Sequence, residues 1–205
     1  MSRTNAHYAT VSEVEIFQQF LAGDDQAFVQ LFERYDRRLR LYCVKIVGDY
    51  QVSEDLVQEM WERVVKMRRE PLQINEPGKY FMTMARNLCL KYVQRTRRHT
   101  SLDDLLESEH PAAEHHEQSH LEELVAMYVP KLPIDQREVL VLHHYMGYPY
   151  EEIAAMRGET LGSVKMRAMR ARTRLGRMIS AVIDISKEEE RPATSDDDKF
   201  GENDR

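Results

Sequence analysis

From Asp103 to Glu123 the chain carries eight acidic side chains and no lysine or arginine. Up to His120 the rest is mostly His, Ser, Ala and Pro, with little apolar periodicity. Such a stretch cannot bury a face and reads as an exposed connector. It cuts a 205-residue chain into two pieces, each of which must build its own small core. On both sides of it the apolar residues recur at helical steps, as in Phe28, Leu31, Phe32, Tyr35, Leu39 and Tyr42. There is no alternating run to make a strand and no internal repeat of fixed period. The expected fold is all-α, with two small helical domains joined by an acidic flexible linker.

The net charge of −6 would argue against a nucleic-acid partner if it were spread evenly, but it is segregated. Pro77 to Leu102 holds six basic residues and no acid, whereas Asp184 to Arg205 holds nine acids and four bases. Without the connector and the tail, the remaining 162 residues carry +7. The parts expected to fold are basic, and the acid lies in the segments between and after them. No apolar run approaches the ~20 residues that span a bilayer, and the first residues lack the basic-then-apolar layout of a secretory signal. A cytoplasmic protein without membrane insertion is expected. Cys43 and Cys89 both fall in apolar helical patterns and read as buried, reduced thiols.

Three segments carry chemistry. In the first, Ser53 is placed to cap a helix, with Glu54 and Asp55 in its first turn and Val52 stapling onto Val57. Leu56, Met60, Val64 and Met67 make its inner stripe, beside Val57, Trp61 and Val65. Asp55, Gln58, Glu59 and Glu62 then share the outer face as an acidic and amide ridge. Spacing alone makes such a ridge a solvated face more often than a binding one. In an otherwise basic domain, it suggests a protein partner rather than DNA.

The second segment begins at Pro77-Gly78. Phe81, Met84, Leu88 and Cys89 can face a bundle, leaving Lys79, Arg86, Lys91 and Arg95 outward. Cations interleaved with aromatics such as Tyr80 suit single-stranded nucleic acid, because the cations neutralise phosphates and the rings accept unstacked bases. A solvated basic face over core aromatics fits the same pattern.

The third is a helix-turn-helix. Asp135 and Glu138 make a capping-box-like start for one helix after Leu132-Pro133. Ile153 and Ala154 lie on a short helix that ends at Gly158, and Thr160 is placed to cap the next. In that second helix Val164, Ala168, Ala171 and Leu175 point inward, while Ser163, Met166, Arg167, Arg170 and Arg174 point outward. Lys165 to Arg177 holds six bases and no acid. A recognition helix reads base edges with its N-terminal residues and meets phosphates with its later arginines. Arginine binds guanine bidentately, so Arg167 is the leading base reader and Arg170 the second, with Ser163 and Lys165 on the backbone or an adjacent base.

The run Ser53 to Trp61, with Phe32-Glu33-Arg34-Tyr35 and Gly48-Asp49 before it, resembles the first conserved domain of bacterial sigma factors of the extracytoplasmic-function (ECF) group. Lys79 to Arg98, with Ala85-Arg86-Asn87 at its centre, resembles the sigma region that recognises and melts the minus-ten promoter element. Leu132-Pro133 through Leu175, including Arg137-Glu138-Val139-Leu140, the Glu-Glu-Ile-Ala run and Gly162-Ser163-Val164-Lys165, resembles the domain that binds the minus-thirty-five element. The resemblance spans roughly residues 13–180.

It implies a factor that binds core RNA polymerase through the β′ clamp and β subunits, directs it to promoter DNA and assists strand separation. Asp55, Gln58, Glu59 and Glu62 would contact polymerase. Lys79, Tyr80, Arg86, Asn87, Lys91 and Arg95 would contact the minus-ten element, and the loop from Arg68 to Glu76 would hold a flipped base. Ser163, Lys165, Met166, Arg167, Arg170 and Arg174 would contact the minus-thirty-five element. An anti-sigma protein is a further partner the family suggests. Many relatives have an acid near the position of Lys91, and Ser and Leu where this chain has Met166 and Ala168, so the promoter sequence does not carry over.

The domain boundaries expected are an N-terminal tail at 1–12, region 2 at 13–100, the linker at 101–123, region 4 at 124–183 and an acidic disordered tail at 184–205. His110, His115, His116 and His120 have no cysteine near them and make a poor metal site. No cofactor is expected. No phosphate-cradling glycine loop or catalytic triad can be placed, so catalysis would belong to polymerase. The competing reading is a helix-turn-helix regulator acting without core polymerase, which leaves the acidic ridge and the acid-free helix unexplained.

Overall fold

The computed structural model describes residues 12–99 and 120–189, with side chains described at 12–96 and 121–183. The connector between them, His110, His115 and His116, and most of the expected acidic tail lie outside the described residues. No strand occurs among the described residues, and no helix among them is long and apolar enough to cross a membrane.

The N-terminal half is a bundle of α1 (Glu13–Leu21), α2 (Asp25–Val47), α3 (Tyr50–Lys66) and α4 (Pro77–His99). Ser12 and Glu15 close α1 with a reciprocal capping box, and Asp24 accepts from the backbone of Gln26 and Ala27 to start α2. Gly48 ends α2 at a φ of 81°, the left-handed conformation that favours glycine. Asp49 then caps α3, accepting from Val52 N at 2.9 Å.

This places Ser53 inside the helix rather than at its cap. Its buried hydroxyl donates to the Asp49 carbonyl at 2.6 Å. The carboxylate four residues earlier is the stronger acceptor for the orphan amides, and it starts the helix sooner.

The core of this half is aromatic. Trp61 lies within 5.2–5.8 Å of the rings of Phe28, Phe32 and Phe81, so one side chain joins α2, α3 and α4. Its indole N–H donates to Asp36 Oδ1 at 2.9 Å, and Asp36 Oδ2 accepts from Arg40 at 2.6 Å. Gly78 lets α4 approach α2: a Cβ there would sit 2.9 Å from the Tyr35 ring. Cys43 and Cys89 are buried free thiols; hydrogen bonding to Cys43, together with burial, holds the Cys89 thiol well above its ordinary pKa.

The C-terminal half comprises α5 (His120–Tyr128), a 3-10 turn (Val129–Lys131), α6 (Ile134–Leu140), a π-helical turn (Val141–Tyr145), α7 (Tyr150–Arg157) and α8 (Leu161–Glu189). Leu124, Val129, Leu132, Val139, Leu142, Ile153, Val164, Ala168, Ala171, Leu175 and Ile179 form its core. Helix α5 starts inside the stretch expected as linker, and α8 runs past Asp184, because Met178, Val182 and Ile183 still have apolar neighbours to pack against.

Candidate polymerase and nucleic-acid interfaces

Asp55, Gln58, Glu59 and Glu62 are all exposed on one face of α3, because Ser53, Leu56, Val57, Met60, Trp61 and Val64 take the other face inward. Glu59 pairs with Arg63 at 2.5 Å, and the Gln58 amide donates to Glu62 at 3.3 Å. Exposed Val65 continues the ridge, and exposed Phe32 stacks obliquely on Trp61 at its edge. The surface is therefore anionic with apolar ground beside it, a mixture suited to protein docking rather than to a phosphate backbone.

Helix α4 does not present one uniform basic face. Tyr80, Asn87, Lys91 and Arg95 are exposed along one stripe. Arg86, expected to point outward, does not: its side chain is 15% exposed, and its guanidinium pairs with Glu138 of α6. On the side of Arg86, two turns earlier, Lys79 bonds Glu76 at 2.5 Å and Glu152 of α7 at 3.1 Å, and these contacts raise its pKa. The reason is tertiary, since acids from the C-terminal half meet this side of α4. The loop after α3 is pinned to the end of α1. Arg69 N bonds Leu21 O at 3.0 Å, Gln18 donates to Leu72 O at 3.2 Å, and Arg68 reaches Gly23 O and Asp25.

The helix-turn-helix forms as the spacing implies. Gly158 turns at a φ of 64°, and Thr160 Oγ1 accepts from Ser163 N at 3.2 Å to start α8. Ser163, Lys165, Met166, Arg170 and Arg174 are exposed. Arg170 and Arg174 line a shallow groove with Gln136, Met169, Thr173 and Arg177. Arg167 is half-buried, bonded to Asp135 at 2.5 Å and Glu159 at 3.0 Å. Burial pushes the Glu159 carboxyl up, but Arg157 and Arg167 outweigh it and hold the group below its usual pKa.

Glu138 does not complete a capping box. Pro133 occupies the cap of α6 with no side-chain bond, and Glu138 lies buried between Arg86 and Arg157. Neighbouring Arg137 is also buried, donating to Ile46 O near the end of α2 at 2.5 Å and to Leu132 O at 3.0 Å. Neither role is visible in local spacing, because Arg86, Arg157 and the Ile46 carbonyl all lie on other helices.

A helical bundle with an exposed anionic ridge and a cationic helix, followed by a basic helix-turn-helix, defines a promoter-directed transcription initiation factor. Residues 31–99 match the family described as Sigma-70 region 2, and residues 122–175 match Sigma-70, region 4. The ECF RNA polymerase sigma factor SigM of Mycobacterium tuberculosis is 29% identical over 171 residues, covering 82% of this chain and 85% of that protein. EcfG of Rhodopseudomonas palustris is 30% identical over 146 residues, covering 69% and 78%. The sigma factor RpoE of Bartonella quintana, solved with the anti-sigma factor NepR, shares the fold at a TM-score of 0.61 and 23% identity, covering 75% of this chain and 96% of that one.

The chain belongs to the ECF group of sigma-70 factors. It directs RNA polymerase to promoters, and factors of this family are non-enzymatic initiation factors. The region 2 match takes in the ridge and α4, which a regulator acting without polymerase would leave without a role.

Proposed function

We propose that the α3 ridge of Asp55, Gln58, Glu59 and Glu62 docks on core polymerase, that Lys79, Tyr80, Arg86, Asn87, Lys91 and Arg95 of α4 hold the minus-ten strand, and that Ser163, Lys165, Met166, Arg167, Arg170 and Arg174 of α8 meet the minus-thirty-five duplex. The observation that carries this reading is the separation of charge on one rigid bundle: the anionic ridge and the cationic stripe lie on different helices, so protein and DNA can be held at once. The protein acts in the cytoplasm, where polymerase and promoter DNA are found. The Bartonella factor is in complex with an anti-sigma factor, and an anti-sigma protein is a further partner proposed for this chain.

Replacing Asp55, Gln58 and Glu59 together by alanine should weaken association with core polymerase by tenfold or more, about 1.4 kcal/mol, with the helical circular dichroism unchanged. Unaltered affinity in a fluorescence titration against core enzyme would remove the ridge from the interface.

The duplex contacts divide by type. Arg167→Ala should cost ~1–3 kcal/mol of discrimination at one upstream base pair. Arg174→Ala should weaken all sequences alike and reduce the salt slope by ~1. An equal loss across a library of upstream sequences for Arg167→Ala would disqualify it as a base reader. Arg167 is bonded to Asp135 and Glu159, so these carboxylates compete with a base for its guanidinium, and the loss of discrimination should fall toward the lower end of the ~1–3 kcal/mol range.

A further inference from the structure

We infer that α1 sets the position of the loop from Arg68 to Glu76 relative to α4, with Gln18, Asp25 and Arg68 as positioning residues, so that base choice at the minus-ten element depends on side chains at α1 and its corner. The inference rests on the reading of that loop as the holder of a flipped base, and it adds what holds the loop in place.

Four bonds join the loop to α1 or to the turn after it. Arg69 N donates to Leu21 O at 3.0 Å, and Gln18 Nε2 donates to Leu72 O at 3.2 Å. Arg68 donates to Gly23 O and pairs with Asp25 at 2.7 Å. Arg69 itself has a φ of 72°, the one positive value outside glycine among the described residues. A residue with a side chain keeps that left-handed conformation only where its surroundings fix it, and here the bond to Leu21 does so.

Helix α1 is tied to α4 as well. Phe17 packs edge-on against Phe81 at 5.8 Å, and both rings are fully buried. One nine-residue helix therefore touches both the loop and the helix that carries the cationic stripe. Leu72 and Ile74 seat the loop half-buried against the core, which leaves Gln73 and Asn75 exposed. Bonds as exposed as those of Gln18 and Asp25 contribute little to stability, so what they fix is geometry. A pocket for an unstacked base selects only if its groups hold to within about 0.5 Å, and a loop ordered before the base arrives loses less freedom on binding.

The test uses the full chain with core RNA polymerase on promoters randomised across the minus-ten element, and the sequenced transcripts give a base preference at each position. Q18A/D25A removes two of the loop's bonds from outside the loop. Q26A/E33A is the matched control, since Gln26 and Glu33 are exposed on α2 and the change in composition is the same. Q73A/N75A tests the loop itself. Core affinity is measured alongside by fluorescence titration, and folding at the assay temperature by circular dichroism. Q18A/D25A should lose roughly threefold or more of the preference at one position, the size of one or two net hydrogen bonds. Q73A/N75A should lose preference at that same position. The other positions, the core affinity and the control should be unchanged.

An intact preference in Q18A/D25A beside a loss in Q73A/N75A would overturn α1 as the support while leaving the loop reading standing. A loss spread over all positions, or one that follows a fall in core affinity, would reduce α1 to a structural role and overturn the inference too. So would a loss at a position that Q73A/N75A leaves intact. If neither variant altered any position, the loop would not hold a base, and the inference would fall together with that reading.

Discussion

Glu138→Ala should destabilise the C-terminal half by about 3–5 kcal/mol, the cost of removing one partner from a buried ion pair. Glu138 is 2% exposed at its side chain and sits between Arg86 and Arg157, the latter 6% exposed. Without the carboxylate, Arg157 keeps Glu159 at 2.9 Å, but most of its charge is left in a poorly solvated site. Arg86, 15% exposed, is nearer to water and fares better. The loss should therefore fall on α6, α7 and α8 rather than on the N-terminal bundle. Amide exchange resolved along the chain would separate the two, with protection falling after Ile134 and holding before His99. Glu138→Gln keeps an acceptor and the side-chain volume and should cost less. A loss below about 1 kcal/mol for the alanine variant would mean that water already serves Arg157, and that the pair is not the support of the helix-turn-helix.

The misreading of Glu138 shows where sequence reasoning stops. Asp135 and Glu138 stand at capping-box spacing, and the segment is helical as expected, but the spacing cannot report an arginine 52 residues earlier on another helix. The same limit applies to Arg86: a basic residue on an amphipathic helix reads as outward unless an acid elsewhere in the chain is known to meet it. Local devices were legible for the opposite reason. Gly158 and Thr160 act on amides or dihedrals within four residues, so their roles follow from neighbours in the chain. The inner stripes of α3 and α8 follow from the helical repeat itself. Ser53 failed because two residue types competed for one task and the earlier carboxylate took it. The exposed members of the candidate surfaces, from Asp55 to Arg174, were found from helical spacing together with the family resemblance. Their division into free and engaged groups was not, because it depends on how two separately encoded halves meet.

Trp61→Ala should lower the stability of the N-terminal bundle by about 3–5 kcal/mol, since it deletes a large aromatic from a packed core. Trp61 is 5% exposed and touches rings on two other helices. Truncation leaves a void among Phe28, Phe32 and Phe81 and strips Asp36 of its indole donor. Trp61→Phe isolates the second effect. It restores most of the packing but leaves one Asp36 oxygen short of a partner, which should cost about 1–3 kcal/mol. Denaturant titrations followed by circular dichroism would rank wild type, phenylalanine and alanine in that order; the tryptophan is the only one in the chain, so its fluorescence can follow the wild type alone. The link to function is positional. Trp61 lies on the inner face of the helix whose outer face is the Asp55 to Glu62 ridge, and it fixes that helix against α2 and α4 at once. If the ridge binds polymerase as a rigid surface, Trp61→Phe should retain core affinity at temperatures where the bundle is folded. Trp61→Ala should lose affinity in step with its unfolding, not below it. Loss of affinity by a fully folded Trp61→Phe would show instead that the indole itself, through Phe32 beside it, belongs to the contact surface.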